Sequence, residues 1–497
     1  MINKRPFFFL VGITFLFISM HLSKADDRSN ARGQSMSNAS MVSSQGIDAY
    51  GVNPANYDYH PFRKQKPSSK NSDLKIIDNT PRLQISVISL GGGYGSDVSM
   101  DFYNNYLKYL SINRATFTGL FTNFADVINF RQNVLPADET NVNYDLELKW
   151  FSVNCRIPKW GAVNFTISDR AGLNTDVLSR DNYLPATYSL TFNSNGSYNL
   201  TNIHLHQSQA TAWWIRKYSL GFARQFEMKG FIKNISFGVT GSLVHGFGNV
   251  ITYNSTLDIN TYGVRPVETG NHVDTIEGKQ GFYSQASLTD FFMDYRDGAR
   301  NHFNFFPKPA GKGYGIDLGF TMQLGENIKI GASVIDLGKI KWDYHTIINL
   351  DTNHFLYKDF VLTPGDPTYN QFVNDLDGID TRDTVHPYST DMPTRYRAGI
   401  MYQPSDRFLL EMDWTEGMND FPGNSIKSVF SLGSEYYTLK YLPVRAGVSY
   451  GGAEGLAFSI GAGLKLRYID IDFSAYGINN IIGNKRLSLS LSCKLII

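Results

Sequence analysis

The chain has little of what usually holds or anchors a protein of its size. Only two cysteines, Cys155 and Cys493, occur in 497 residues, too few for a disulfide framework, although one bridge between them stays open. Beyond residue 25 there is no run of 18 uninterrupted apolar residues, which argues against a transmembrane helix there. The 46 basic and 45 acidic residues leave a net charge of +1, so neither nucleic acid nor a polybasic membrane patch is indicated. Catalytic signatures are scarce too: no HExxH, P-loop or clustered Cys/His pattern occurs, and no GxSxG nucleophile is expected. His204 and His206 share a face at i, i+2 but have no third ligand nearby in sequence. Ser242 and His245, three apart on an expected strand, point to opposite faces. No enzyme activity, cofactor or metal is expected.

What is present begins with an address. Lys4 and Arg5 precede a mostly apolar run from Phe7 to Met20, and Ser23-Lys24-Ala25 follows with small residues at the cleavage positions. Residues 1–25 are expected to be a signal peptide. Aromatic residues make up 14% of the chain, glycine occurs 44 times, and the mean hydropathy is −0.25. That balance suits a soluble β protein, or a barrel whose strands hide a lipid face in alternate positions.

The last residues give the clearest period. Leu487, Leu489, Leu491, Cys493, Leu495 and Ile497 alternate with Ser488, Ser490, Ser492 and Lys494, a strand wet on one side. Ile469, Ile471, Phe473 and Ala475 alternate with Asp470, Asp472 and Ser474, and Phe458, Ile460, Ala462 and Leu464 with Ser459, Gly461, Gly463 and Lys465. A soluble sandwich alternates as well, so connection lengths must decide. Fourteen strands are expected, at 83–90, 144–155, 160–170, 210–228, 231–245, 313–324, 328–338, 394–402, 407–416, 427–437, 442–450, 455–465, 468–477 and 487–497. Their links alternate: tight turns at one end, and at the other the mostly long segments 91–143, 171–209, 246–312 and 339–393, then shorter ones. Such sorting, with an even count that puts both termini at the tight-turn end, is that of a transmembrane antiparallel β-barrel. Parity then places Phe408, Leu410, Met412 and Trp414, with Ile316, Leu318, Phe320 and Met322, toward lipid, and Glu411, Asp413, Asp317, Thr321 and Gln323 toward the lumen. Trp150, Trp160, Trp213, Trp214 and Trp342 fit interfacial girdles, though aromatic residues are favoured in any sheet.

Residues 31–57, ARGQSMSNASMVSSQGIDAYGVNPANY, resemble the N-terminal pattern of the FadL-like outer-membrane family of long-chain fatty-acid transporters. Ala31, Arg32, Met36, Ala39, Asp48, Ala49, Asn53, Pro54 and Ala55 match it; Ser37 departs from it, as does Asn56-Tyr57 where the family has Gly-Leu. Residues 311–342 resemble paired central strands of Bacteroidetes-type relatives. The resemblance implies a fourteen-stranded barrel with an N-terminal lumenal plug, or hatch, in which Gly46, Asp48, Asn53, Pro54 and Ala55 take part. Physical reasoning agrees, because a turn-rich peptide is intolerable in lipid but tolerable in a polar lumen; a disordered N-terminus is the bland alternative. The division expected is 1–25 signal peptide, 26–82 hatch and linker, and 83–497 barrel with long extracellular loops.

Cargo evidence lies in 282–306. Phe291, Phe292, Met293, Phe303, Phe305 and Phe306 crowd a segment expected at the outer end with a short helix. A hydrophobic ligand groove accounts for them, with 102–135 as its helical partner, and an internally packed loop cap accounts for them equally. GGGYGS at 91–96 is read as a place where the first strand bends or leaves the sheet, and Asp470 and Asp472 as lumen wall. The function expected is binding or passive transport of a fatty-acid-like hydrophobic small molecule across the bacterial outer membrane. The alternative is a non-transporting PorV-like scaffold or shuttle for type IX secretion or cell-surface attachment. The partners expected are outer-membrane lipid, a hydrophobic ligand and, in the alternative, a secretion-system component.

Overall fold

The computed structural model describes residues 28–59, 81–96, 142–175, 190–192, 198–200, 203–267, 270–289, 306–361, 367, 383–384, 386–419, 421, 424–452, 455–478 and 486–497. Residues 1–25, expected to be a signal peptide, the expected linker from residue 60 to 80, and segment 102–135 lie outside them. The strands are β1 (Leu83–Ser96), β2 (Val142–Ile157), β3 (Gly161–Thr175), β4 (Leu190–Phe192), β5 (Tyr198–Leu200), β6 (Ile203–Glu227), β7 (Ile232–Val267), β8 (Gly270–Leu288), β9 (Gly311–Leu324) and β10 (Ile328–Trp342). They continue as β11 (Thr346–Val361), β12 (Asp383–Thr384), β13 (Tyr388–Asp391), β14 (Arg395–Ser405), β15 (Phe408–Gly417), β16 (Val429–Leu439), β17 (Leu442–Gly451), β18 (Gly455–Lys465), β19 (Ile469–Tyr476) and β20 (Arg486–Ile496).

Fourteen of these close a barrel in the antiparallel order β1-β2-β3-β6-β7-β9-β10-β14-β15-β16-β17-β18-β19-β20, and β20 returns to β1 through pairs such as Gln84 with Ile496. Each is one of the fourteen expected. Closure leaves no sheet edge in the wall, so every strand finds its backbone partners within the chain. The tight turns lie at one end, where Gly230 (φ 109°) and Gly325 (φ 60°) adopt the left-handed geometry that a short reversal needs. Both Leu83 and Ile497 sit at that end, their backbones bonded to each other at 2.9 and 3.0 Å.

The alternation is inverted relative to a soluble sandwich. Leu489, Leu491, Phe473, Ile460 and Leu318 are exposed, whereas Ser488, Ser490, Asp472, Ser459 and Asp317 are buried. Apolar side chains cover the outside and polar ones fill the inside, the arrangement a lipid solvent selects. No helix among the described residues is long and apolar enough to cross a membrane. Cys155 and Cys493 are both free.

Two expectations are corrected at the outer end. Segments 246–312 and 339–393, read as loops, contain much strand: β7 runs on to Val267, β8 pairs with it, and β11 pairs with β8 from Thr346–Ser287 to Val361–His272. Val, Ile, Thr and Tyr are frequent in 250–266 and 272–286, which favours strands, but the apolar residues follow no period of two, so the pattern that marked the wall is missing. Of segment 282–306, expected to hold a short helix, 282–288 is strand and 290–305 lie outside the described residues. The tryptophan girdle holds for Trp160, which is 73% exposed beside a tight turn, but Trp213 and Trp342 turn inward and are buried.

Candidate functional site

Residues 28–58 lie inside the barrel and are almost entirely buried. Their local structure follows from short capping motifs. Asn30 caps a one-turn helix α1 (Ala31–Gln34) by accepting from the Gly33 amide at 3.0 Å. Gly46–Ala49 and Pro54–Asp58 are 3-10 turns, the second opened by Pro54 at its first position, where a missing N–H is harmless. Asn53 caps that turn through the Ala55 amide at 3.1 Å.

The wall makes room for this plug with glycine. A Cβ on Gly91 would lie 1.5 Å from the Arg28 carbonyl oxygen; on Gly238 it would lie 2.3 Å from the Pro54 backbone, and on Gly447 2.3 Å from that of Met36. Glycine thus lets plug and wall backbones approach, and Gly91 brings the run GGGYGS into that contact. The Asp413 carboxylate accepts from the Ser40 and Met41 amides, both at 2.8 Å, and that of Glu411 from Val42 at 2.5 Å. Ser236 donates to the Ala55 carbonyl at 2.7 Å and Ser333 to that of Val52 at 2.8 Å. These side chains satisfy amides and carbonyls that the plug's irregular backbone leaves unpaired.

A chain of charges ties the plug to the wall at both of its ends. Arg32 grips Glu435 bidentately at 3.1 and 3.2 Å, Glu435 accepts from Arg445 at 2.6 Å, and Arg445 donates to Asp472 at 2.8 Å. Asp472 lies 3.4 Å from Lys494, which donates to Asp48 of the plug. Each buried charge meets an opposite one, the condition under which such groups are tolerated.

Toward the outer end sits a second hub on β10. Asp336, at φ 57°, occupies a bulge that turns it and Ile335 both inward. Its carboxylate meets Lys217 at 2.6 Å, Arg170 at 3.4 Å and Arg395 at 4.0 Å, while its amide donates to Asp317 at 2.8 Å. Lys217 lies 5.1 Å from the ring centroid of plug residue Tyr50, and Arg170 lies 5.7 Å from that of Trp213. Beyond the hub, Trp213, Ile215, Val244, Ile340, Trp342 and Met392 form a buried apolar cluster flanked by Tyr344, Tyr388 and Phe421. The hub therefore touches the plug on one side and the apolar cluster on the other. The polar recess lined by Gln45, Gly46, Tyr57, Gln84 and Arg156 holds only about 10 Å³, room for a single water.

All five expected plug residues come together here. Gly46 is left-handed at φ 55° and faces Gln84, Asp48 meets Lys494, and Asn53, Pro54 and Ala55 lie against Gly238 and Gly319. Asn56 and Tyr57, which depart from the family pattern, are both ties. Asn56 donates to the Met41 carbonyl at 2.9 Å and to that of Val42 at 3.2 Å, and the Tyr57 hydroxyl bonds Thr240 at 2.9 Å. Burial pushes the Tyr57 phenol well above its ordinary range, so it serves as a neutral hydrogen-bonding group. Of the expected groove, Phe291, Phe292, Met293, Phe303 and Phe305 lie outside the described residues; Phe306 is 74% exposed, 5.6 Å from Arg216. The inward apolar cluster was not foreseen, since its tryptophans were read as girdle. Contrary to the expectation of no GxSxG, Gly447-Val448-Ser449-Tyr450-Gly451 has that spacing. It lies within β17, not on a strand-to-helix turn, and the Ser449 hydroxyl bonds that of Tyr476 at 3.0 Å, so it is no nucleophile elbow.

A family model described as a family of unknown function (DUF5723) matches residues 94–475. The chain belongs to this family. No curated protein matches it in sequence. Among solved structures it is similar to the TodX deltaS2S3 mutant monoaromatic hydrocarbon channel, with 13% identity over 96% of this chain and 98% of that one and a TM-score of 0.44. It is also similar to a Pseudomonas aeruginosa FadL homologue (12% identity, 95% and 99% covered, TM-score 0.45) and to the CymD monoaromatic hydrocarbon channel (11%, 94% and 97%, TM-score 0.42). At such scores these likenesses carry no weight of their own, and the fourteen-strand closure stands on this chain's own strand ladder.

Proposed function

We propose that this barrel lies in a bacterial outer membrane and passes a hydrophobic, fatty-acid-like small molecule, with residues 28–58 acting as a hatch. The observation that carries this reading is the sequence of layers along the lumen: an apolar cluster around Trp213 and Trp342 at the outer end, then the Asp336 hub, then the plug. A pore for polar solutes has a water-filled lumen; here apolar side chains face inward above a filled one. The N-terminal resemblance supports the same reading. The aromatic segment holding Phe291, Phe292, Met293, Phe303, Phe305 and Phe306 is proposed as the receiving groove outside the cluster. No observation among the described residues favours the scaffold alternative.

The test is uptake of a labelled long-chain fatty acid into vesicles carrying the purified full-length protein. Saturable uptake is expected, reduced about tenfold or more by Trp213→Asp with Trp342→Asp and to a lesser degree by Phe291→Asp with Phe292→Asp. Uptake equal to that of protein-free vesicles, for fatty acids and for aromatic hydrocarbons alike, sinks the reading.

A further inference from the structure

On the lipid-facing side of β9 and β10 the apolar band ends in the lysines Lys312 and Lys341, beside His245 of β7. On β9 the outward positions run Met322, Phe320, Leu318, Ile316 and Tyr314, and the next is Lys312. From 324 to 314 the strand climbs roughly 26 Å, taking ~3.4 Å per residue and a tilt of ~40°, which is about the height of a barrel's apolar band. Lys312 therefore lies at the headgroup level of the outer leaflet. Register aligns it with His245 on one side and Lys341 on the other. Just below them, Leu243 and Tyr314 are cross-strand partners, 68% and 58% exposed; on β10 Lys339 stands across from Tyr314, and Leu337, 45% exposed, lies one step lower across from Ile316. Among the described residues Lys312 and Lys341 form no ion pair. Their neighbours are differently placed: Lys339 pairs with Asp391 at 3.5 Å, and Arg216 is held by Asp169 at 2.5 and 2.8 Å.

We infer that this patch is a docking site for a phosphorylated glycolipid of the outer leaflet, its phosphates on Lys312 and Lys341 and its acyl chains along Leu243, Tyr314 and Leu337. Charge complementarity selects an anionic head, and the apolar landing directly beneath selects an amphiphile over a free anion. The outer end of the barrel, away from the tight turns, selects the outer leaflet. The inference rests on the outer-membrane placement proposed above but not on transport.

The experiment is native mass spectrometry of the full-length protein after exchange from detergent containing diphosphorylated lipid A, phosphate-free lipid A or phosphatidylglycerol. The wild-type protein is expected to retain diphosphorylated lipid A at least tenfold over either of the others. Lys312→Gln with Lys341→Gln is expected to lower that retention at least fivefold, and Lys440→Gln at the opposite rim to leave it unchanged; heat-dependent gel migration confirms that each barrel is folded. Retention independent of phosphate, or unaffected by the double variant, overturns the site, and equal retention of phosphatidylglycerol overturns the glycolipid assignment. Fatty-acid uptake is scored on the same preparations. Loss of uptake with retention intact counts against the transport reading alone, and the reverse counts against this one alone.

Discussion

At the scale of single residues, glycine decides how closely plug and wall approach. Gly91 permits the Arg28 carbonyl to sit where a side chain would otherwise be, whereas Gly241, on the outward face of β7, has no atom within 4 Å of its missing Cβ. Gly91→Ala should therefore lower stability by about 1–3 kcal/mol, as overpacking does, while Gly241→Ala should stay within about 0.5 kcal/mol. Chemical denaturation of the two variants in the same detergent checks the contrast. Sequence displayed the glycine-rich run 91–96 but not its use, because the close approach of Arg28, 63 positions earlier, leaves no local pattern. Asn53-Pro54 was legible for the opposite reason, since its geometry is set by its own residues.

At the scale of elements, every wall strand was visible through its period of two, and the strands rising past the wall were not. Lipid outside and polar contacts inside impose strict alternation between tight turn and outer rim; beyond the rim both faces of β7, β8 and β11 lose that contrast. Parity put Asp472 on the lumen wall but could not tell that it joins Arg445 and Glu435 in one chain of charges ending on Arg32 and Asp48. That chain is the element-scale prediction. Arg32→Met leaves Glu435 with one cation fewer, a loss of about 3–5 kcal/mol in plug seating if it behaves as a typical broken buried pair. Hydrogen–deuterium exchange should accelerate across 28–58 and stay unchanged in β2 and β3. Equal exchange in the plug of wild type and variant would show that the charge chain does not hold it.

At the scale of the whole molecule, a filled lumen sets what does not pass. Vesicles carrying the wild-type protein should swell in isotonic sugar no faster than protein-free ones. Glu411→Ala with Asp413→Ala, which strips the plug amides at Ser40, Met41 and Val42 of their acceptors, should raise the swelling rate several-fold. The barrel and the plug were readable from sequence. The apolar cluster was not, because inward tryptophan and girdle tryptophan look alike until the bulge at Asp336 shifts the inward face of β10 from Ser333 to Ile340 and Trp342.

The plug precedes β1 in the chain, yet its firmest partners are far downstream: Arg32 bonds Glu435 across 403 positions, and Asp48 meets Lys494 across 446. A stopper whose grips lie so late in the chain cannot seat fully until the last strands have joined the sheet. Ring closure between β20 and β1 and the arrival of those grips fall at the same moment of biogenesis. The protein is thus assembled around its own stopper, and contacts of such long sequence separation make that closing step the slow one.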